Sequence, residues 1–148
     1  VGEPRAAGPP PCGVSYPGRI TCFDVSQGGR AIWSQDIASS TGMTMDGQHL
    51  YLPDMRDVVH ALDLKDGHEL WKQSSLLNRR LSAPAVAGRA VAVGDFEGYL
   101  HFLSRADGSP MARLQVGGGP ITSALLATPR GVVVQTGGGN LMLVGVGD

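Results

Sequence analysis

Adding forty-one to the positions of Asp54, His60, Leu62, Asp66 and Gly67 gives Asp95, His101, Leu103, Asp107 and Gly108, so one stretch of the chain is a copy of another. Adding forty-one again to Gly98, Leu100 and Phe102 reaches Gly139, Leu141 and Leu143, where a further copy begins. Moving back thirty-nine residues, Val59, Leu62 and Asp63 fall on Ile20, Phe23 and Asp24, and Trp71 less thirty-eight is Trp33. The one-residue difference is absorbed at Gly28-Gly29. A repeat of this size cannot bury its apolar side alone and has to stack on its neighbours.

The unit itself reads as a hairpin. Val59, Ala61 and Leu70 alternate with polar neighbours, Asp66-Gly67 tolerates positive φ, and Trp71 closes the second strand. About four short strands in ~40 residues is the signature of β-propeller blades. The expectation is an all-β chain, a partial β-propeller of four-stranded blades. Residues 1–17 are expected to be irregular, with Pro9-Pro10-Pro11 excluding a central strand. Residues 18–148 form the partial propeller, with blades at about 18–46, 49–87 and 90–127 and a half blade at 131–145. Within these, strands are expected at 19–25, 30–35, 42–46, 49–54, 57–64, 68–73, 82–87, 90–95, 98–104, 110–116, 121–127, 131–136 and 139–145. The loop 74–81 is expected to join the last two strands of the second blade. Closed rings take about four to eight blades, so 148 residues alone are expected to leave blade faces uncovered and to be marginally stable or self-associating.

A net charge of −1 gives no electrostatic footprint for nucleic acid. Arg89 interrupts the longest candidate for a membrane span. Cys22 aligns with Ala61 and is expected in a packed layer, where a small thiol behaves as a hydrophobe. A Cys12–Cys22 bridge in an oxidising compartment is the other reading, and two cysteines do not decide between them.

Enzyme signatures fail where spacing tests them. The chain has no Gly-Lys-Ser/Thr phosphate loop and no His-Glu-x-x-His helix, and Gly13-Val14-Ser15-Tyr16-Pro17 lacks the second glycine of a nucleophile elbow. Gly117-Gly118-Gly119 and Gly137-Gly138-Gly139 lie beside strands, where glycine serves turns. His60 and His101 occupy equivalent places in successive repeats, so they diverge around a ring instead of converging on a metal, and they are expected to face solvent or brace turns. Asp95 and Glu97 lack the spacing of a Ca²⁺ loop and read as turn residues. Trp33 and Trp71 are expected to pack between sheets; stacking on a planar cofactor is the competing reading. No catalytic, metal or cofactor-binding residue is assigned. The candidate binding residues lie in the 74–81 loop, where Leu76, Leu77 and Leu81 beside Arg79 and Arg80 combine apolar anchors with guanidinium groups. The bland alternative has the leucines packing beneath the loop and the arginines solvating it.

The run Leu62-Asp63-Leu64-Lys65-Asp66-Gly67-His68-Glu69-Leu70-Trp71 resembles the PQQ-like repeat, whose usual form is Ala-Leu-Asp, a Thr-Gly or Asp-Gly turn, and a Trp. The third copy departs from it, with Ser104 at the Asp position and Ala112 at the Trp position. Within that superfamily, Trp71 to Pro84 followed by Val93 to His101 resembles the C-terminal portion of the propeller lipoproteins of the outer-membrane β-barrel assembly (BAM) machinery, over Gly18 to about Leu143. This resemblance implies a non-enzymatic, eight-bladed scaffold on the periplasmic face of the Gram-negative outer membrane. Its partners would be the POTRA domains of BamA, other BAM components and nascent outer-membrane proteins. Membrane association would come through a lipid anchor not present in this chain. The rival is a fragment of a PQQ-dependent quinoprotein dehydrogenase, whose adjacent cysteine pair and metal ligands do not occur here. A WD40 array is suggested by Gly67-His68 but lacks the Trp-Asp pair.

Overall fold

In the computed structural model, residues 12–15, 18–24, 26, 28–39 and 42–146 are described. They form four antiparallel sheets in chain order. The first holds β1 (Cys12–Ser15), β2 (Arg19–Asp24) and β3 (Arg30–Gln35); the second holds β4 (Thr44–Met45), β5 (His49–Pro53), β6 (Val59–Asp63) and β7 (Glu69–Gln73). The third holds β8 (Ala85–Ala87), β9 (Ala90–Gly94), β10 (Tyr99–Ser104) and β11 (Pro110–Gln115), and the fourth β12 (Leu126–Thr128), β13 (Gly131–Gln135) and β14 (Leu141–Val144). Each is a meander of neighbours in sequence, the blade of a partial β-propeller. No helix among the described residues is long and apolar enough to cross a membrane.

Three separate cores lie between the sheets, one at each junction. Leu50 and Leu52 of β5 point back onto Ile20, Cys22 and Trp33, while Tyr51 between them points forward onto Val91, Val93 and Leu103. This is the period-two alternation of a strand covered on both faces. Leu100 and Phe102 serve the third junction, with Ile121, Val132 and Val134. A bulge recurs at the same place in each copy, opposite Cys22 and Phe23, Ala61 and Leu62, and Phe102 and Leu103, where Ile32, Leu70 and Met111 are the extra residues of β3, β7 and β11. Strand β10 keeps its alternation, so Leu103 turns back to the second junction, away from Leu100 and Phe102.

Two expectations are corrected. The strand near 82–87 does not complete the second blade; Ala85–Ala87 pairs with β9 and opens the third sheet. Thr44–Met45 likewise opens the second sheet by pairing with β5, and Leu126–Thr128 opens the fourth. The period sets a blade's length but not its phase, and the 74–81 loop therefore crosses between blades. The second correction concerns residues 12–15, expected to be irregular, which form β1 in register with β2. Cys12 and Cys22 sit opposite each other there, with Cα atoms 4.0 Å apart, and form a disulfide; Cys22 is buried but is not a free thiol. The expected Pro9-Pro10-Pro11 interruption lies outside the described residues.

A candidate protein-docking face

Three kinds of loop meet at one end of the sheets: the β5–β6 turn, the β9–β10 turn and the crossover from β7 to β8. The two turns are built on an aspartate. Asp54 Oδ1 accepts the amides of Arg56 and Val58 at 2.8 and 3.1 Å, and Asp95 Oδ1 accepts those of Glu97 and Tyr99 at 2.9 and 3.0 Å. The second oxygen of each takes a histidine six residues on, Nε2 of His60 or His101, at 2.8 Å. Both histidines thus brace turns, and Asp95 is a turn residue as its spacing implies. At Asp95, burial works to raise the carboxyl, but the bonds from His101 and from the Tyr99 and Glu97 amides outweigh it and hold the group below its ordinary 3.8.

The crossover is pinned to both turns. Asp57 accepts the amides of Arg80 and Leu81 at 3.1 and 3.0 Å, and the Phe96 amide donates to the Arg79 carbonyl at 3.0 Å. The Arg79 guanidinium donates to the buried Asp95 carboxylate at 3.1 Å and lies 3.6 Å from Glu97. Leu76 and Leu81 enter the second core beside Trp71 and Val93.

The five candidate residues of this loop therefore divide. Leu76 and Leu81 are not free anchors, because both are buried in the core between the second and third sheets. Arg79 is occupied as the counter-ion of Asp95. Leu77, 44% exposed, and Arg80 remain at the surface. Two further side chains join them that sequence spacing did not single out: Phe96, 46% exposed, and Met55, 66% exposed. Arg80 lies over the Phe96 ring, 5.0 Å from its centroid. Two shallow clefts flank this pair. One of about 280 Å³ is lined by Leu77, Asn78, Arg79, Arg80, Phe96 and Glu97, and one of about 360 Å³ includes Met55, Asp57, Arg80 and Phe96. Met55 and Phe96 occupy the same turn position in successive repeats, forty-one residues apart, and that coincidence was the signal available in the sequence.

The opposite end of the sheets is a structural clamp. Asp46 accepts from the Tyr51 hydroxyl at 3.0 Å and pairs with Arg105 of the next sheet, and burial leads in pushing the tyrosine up to about 12. Asp63, Asp66 and His68 have ligand atoms within 4.8 Å of one another on the β6–β7 turn, where Asp66 already binds the His68 ring at 2.6 Å. Trp33 and Trp71 pack between sheets, as expected, and each indole N–H donates to a backbone carbonyl of the next sheet.

The fold defines a stretch of β-propeller, and the face described above presents exposed apolar side chains around Arg80. Residues 1–73 and 56–146 match the family described as Outer membrane protein assembly factor BamB. A protein of that name from Bordetella pertussis strain Tohama I is 57% identical over 144 residues, which are 97% of this chain and 37% of the relative. The crystal structure of BamB from Moraxella catarrhalis superimposes with a TM-score of 0.79 at 26% identity, over 86% of this chain and 38% of that one. The Cps50 (Swd1) β-propeller domain of Myceliophteria thermophila shares the fold alone, with a TM-score of 0.66 at 20% identity over 84% of this chain and 46% of that domain. The chain belongs to the BamB family. It spans a little over a third of the length of the curated relatives it matches.

Proposed function

We propose that this chain is part of a non-enzymatic scaffold of the outer-membrane β-barrel assembly machinery. It works on the periplasmic face of the Gram-negative outer membrane by binding the POTRA region of BamA alongside other BAM components, and so assists assembly and insertion of outer-membrane proteins. One observation carries the reading: Met55, Leu77 and Phe96 present apolar surface around Arg80 from three loops that are tied to one another. Aromatic and apolar anchors beside arginine are the usual composition of interface hot spots. Loops already held by Asp57 and Asp95 lose little freedom when a partner docks. The name of the Bordetella relative attributes outer-membrane protein assembly to that protein, which supports the same machinery here. The Cys12–Cys22 bridge supports an oxidising compartment such as the periplasm.

The test is calorimetric titration of the full-length protein with a purified POTRA segment. Leu77→Ser, Arg80→Ala and Phe96→Ser are each expected to weaken binding about tenfold or more and to leave the urea midpoint unchanged. Wild-type affinity in all three variants would remove the docking face. Absence of binding by the unsubstituted protein would remove the partner.

A further inference from the structure

The second and third sheets are copies, and one difference between them opens a site. His60 lies between two carboxylates: Nε2 contacts Asp54 at 2.8 Å, and Nδ1 bonds Glu69. His101 keeps the first arrangement, with Nε2 at 2.8 Å from Asp95. The residue forty-one after Glu69, however, is Pro110. The two positions match in space as well, because Glu69 stands opposite Leu62 and Pro110 opposite Leu103. The third sheet therefore lacks the second carboxylate.

Its place is open. A cleft of about 410 Å³ is lined there by Leu76, Arg79, His101, Leu103, Met111 and Arg113, among others, with no carboxylate in its lining. His101 is 5% exposed, and no described residue hydrogen-bonds its Nδ1. Arg113 stacks over Tyr99 at 4.8 Å and has no ion pair among the described residues. Arg79 is shared with Asp95. Burial lowers the His101 imidazole, Asp95 opposes this, and Arg79 and Arg113 lower it further. With Arg79 paired to Asp95, Arg113 is the guanidinium of the cleft that lacks a carboxylate partner among the described residues. Beside it, all six residues of β11 are exposed, and no described strand pairs with its outer edge. Unpaired strand groups of this kind are a template for an added strand.

We propose that this cleft reads a glutamate on an extended segment of a partner protein: the segment adds to the free edge of β11, and its carboxylate takes the position that Glu69 holds in the second sheet. Arg113 donates to that carboxylate, with the Arg79 guanidinium close by. The His101 Nε2–H already donates to Asp95, so the ring takes up a proton from solvent at Nδ1 and donates it to the second carboxylate. Leu76, Leu103 and Met111 cover the apolar stem. The site does not depend on the POTRA assignment, because it follows from the comparison of the two repeats.

The experiment measures binding of two short fluorescent peptides of alternating valine and threonine, both amidated, to the full-length protein. One carries a central glutamate and the other a glutamine. The glutamate peptide is expected to bind about tenfold tighter or more. Arg113→Gln is expected to reduce it to the level of the glutamine peptide. Pro110→Glu supplies the carboxylate from the protein's own strand and is expected to do the same while preserving the urea midpoint. Equal binding of the two peptides, or wild-type binding by Pro110→Glu, overturns the proposal. So does a glutamine peptide with a free terminal carboxylate that binds as well as the glutamate peptide, since the acid read would then be a chain end.

Discussion

The indole of Trp71 lies against Gly108 of the following sheet so closely that a Cβ on Gly108 would come within 2.3 Å of the ring, and its N–H donates to the Arg105 carbonyl at 2.9 Å. Trp33 stands in the same relation to Gly67 and Leu64, with the bond at 2.7 Å. Each pair is completed by a glutamine two residues past the indole, Gln35 or Gln73, which donates to the glycine carbonyl. The glycine in each Asp-Gly turn therefore does two jobs: it accepts a positive φ and leaves room for the indole of the preceding blade. Trp71→Ala is expected to cost about 3–5 kcal/mol, and Gly108→Ala is expected to be destabilising through both strain and overlap. Urea unfolding of each variant measures this, and a Gly108→Ala midpoint at or above wild type would contradict the packing.

The crossover from β7 to β8 makes a contrast between neighbours. Leu81→Ala is expected to lose about 2–5 kcal/mol because it empties part of the second core. Leu77→Ala, four residues away and exposed, is expected to stay within about 0.5 kcal/mol. The same unfolding series reads both, and comparable losses would mean that Leu77 is buried too.

Acid should destabilise the fold in two stages. His101 is held below its ordinary 6.5, chiefly by burial, so the unfolded chain binds the extra proton first. Stability therefore rises with pH through that window and is lost as pH falls from 6.5 through the lower folded value. Asp95 is held below 3.8 although burial opposes it, so its contribution is lost only as pH falls from 3.8 through its own folded value. Urea midpoints measured across this range test the order, and a His101→Gln protein should lack the first decline. A wild-type midpoint that stays level until the carboxylate range would exclude a buried, neutral His101.

Reduction should act on the first sheet. The Cys12–Cys22 bridge closes a ten-residue separation between β1 and β2, and losing it is expected to cost about 2–4 kcal/mol. Hydrogen exchange with and without reductant locates the effect. Loss of protection confined to Arg19–Asp24 and Arg30–Gln35 is the expected result, whereas unchanged protection would show that β1 holds without the bond.

The hairpins were legible because their signals are local. Val59, Ala61, Asp66, Gly67 and Trp71 lie within one unit, and its copy confirms the reading at a fixed offset. The same offset placed Asp54 with His60 and Asp95 with His101 at equivalent points, and both pairs brace turns. The phase of the blades was not legible. Ala85, Val86 and Ala87 suit the end of one sheet as well as the start of the next, and only their pairing with β9 decides it. The loop leucines were ambiguous for a related reason: Leu76, Leu77 and Leu81 are chemically alike, and their fates depend on a core assembled from β5, β6, β9 and β10.

By itself the sequence determined the all-β class, the repeat length, the hairpins and the inter-sheet role of Trp33 and Trp71, since alternation, turn chemistry and repetition are properties of neighbours along the chain. Tertiary structure decided what depends on distant residues meeting. It paired Cys12 with Cys22, tied Arg80 to Asp57, and divided Leu77 from Leu76 and Leu81. It also gathered Met55, Leu77, Arg80 and Phe96 onto one face and left a carboxylate's place empty beside His101. Those outcomes are set by how twisted sheets stack and which gaps their loops must fill, and no single stretch of the sequence carries that information.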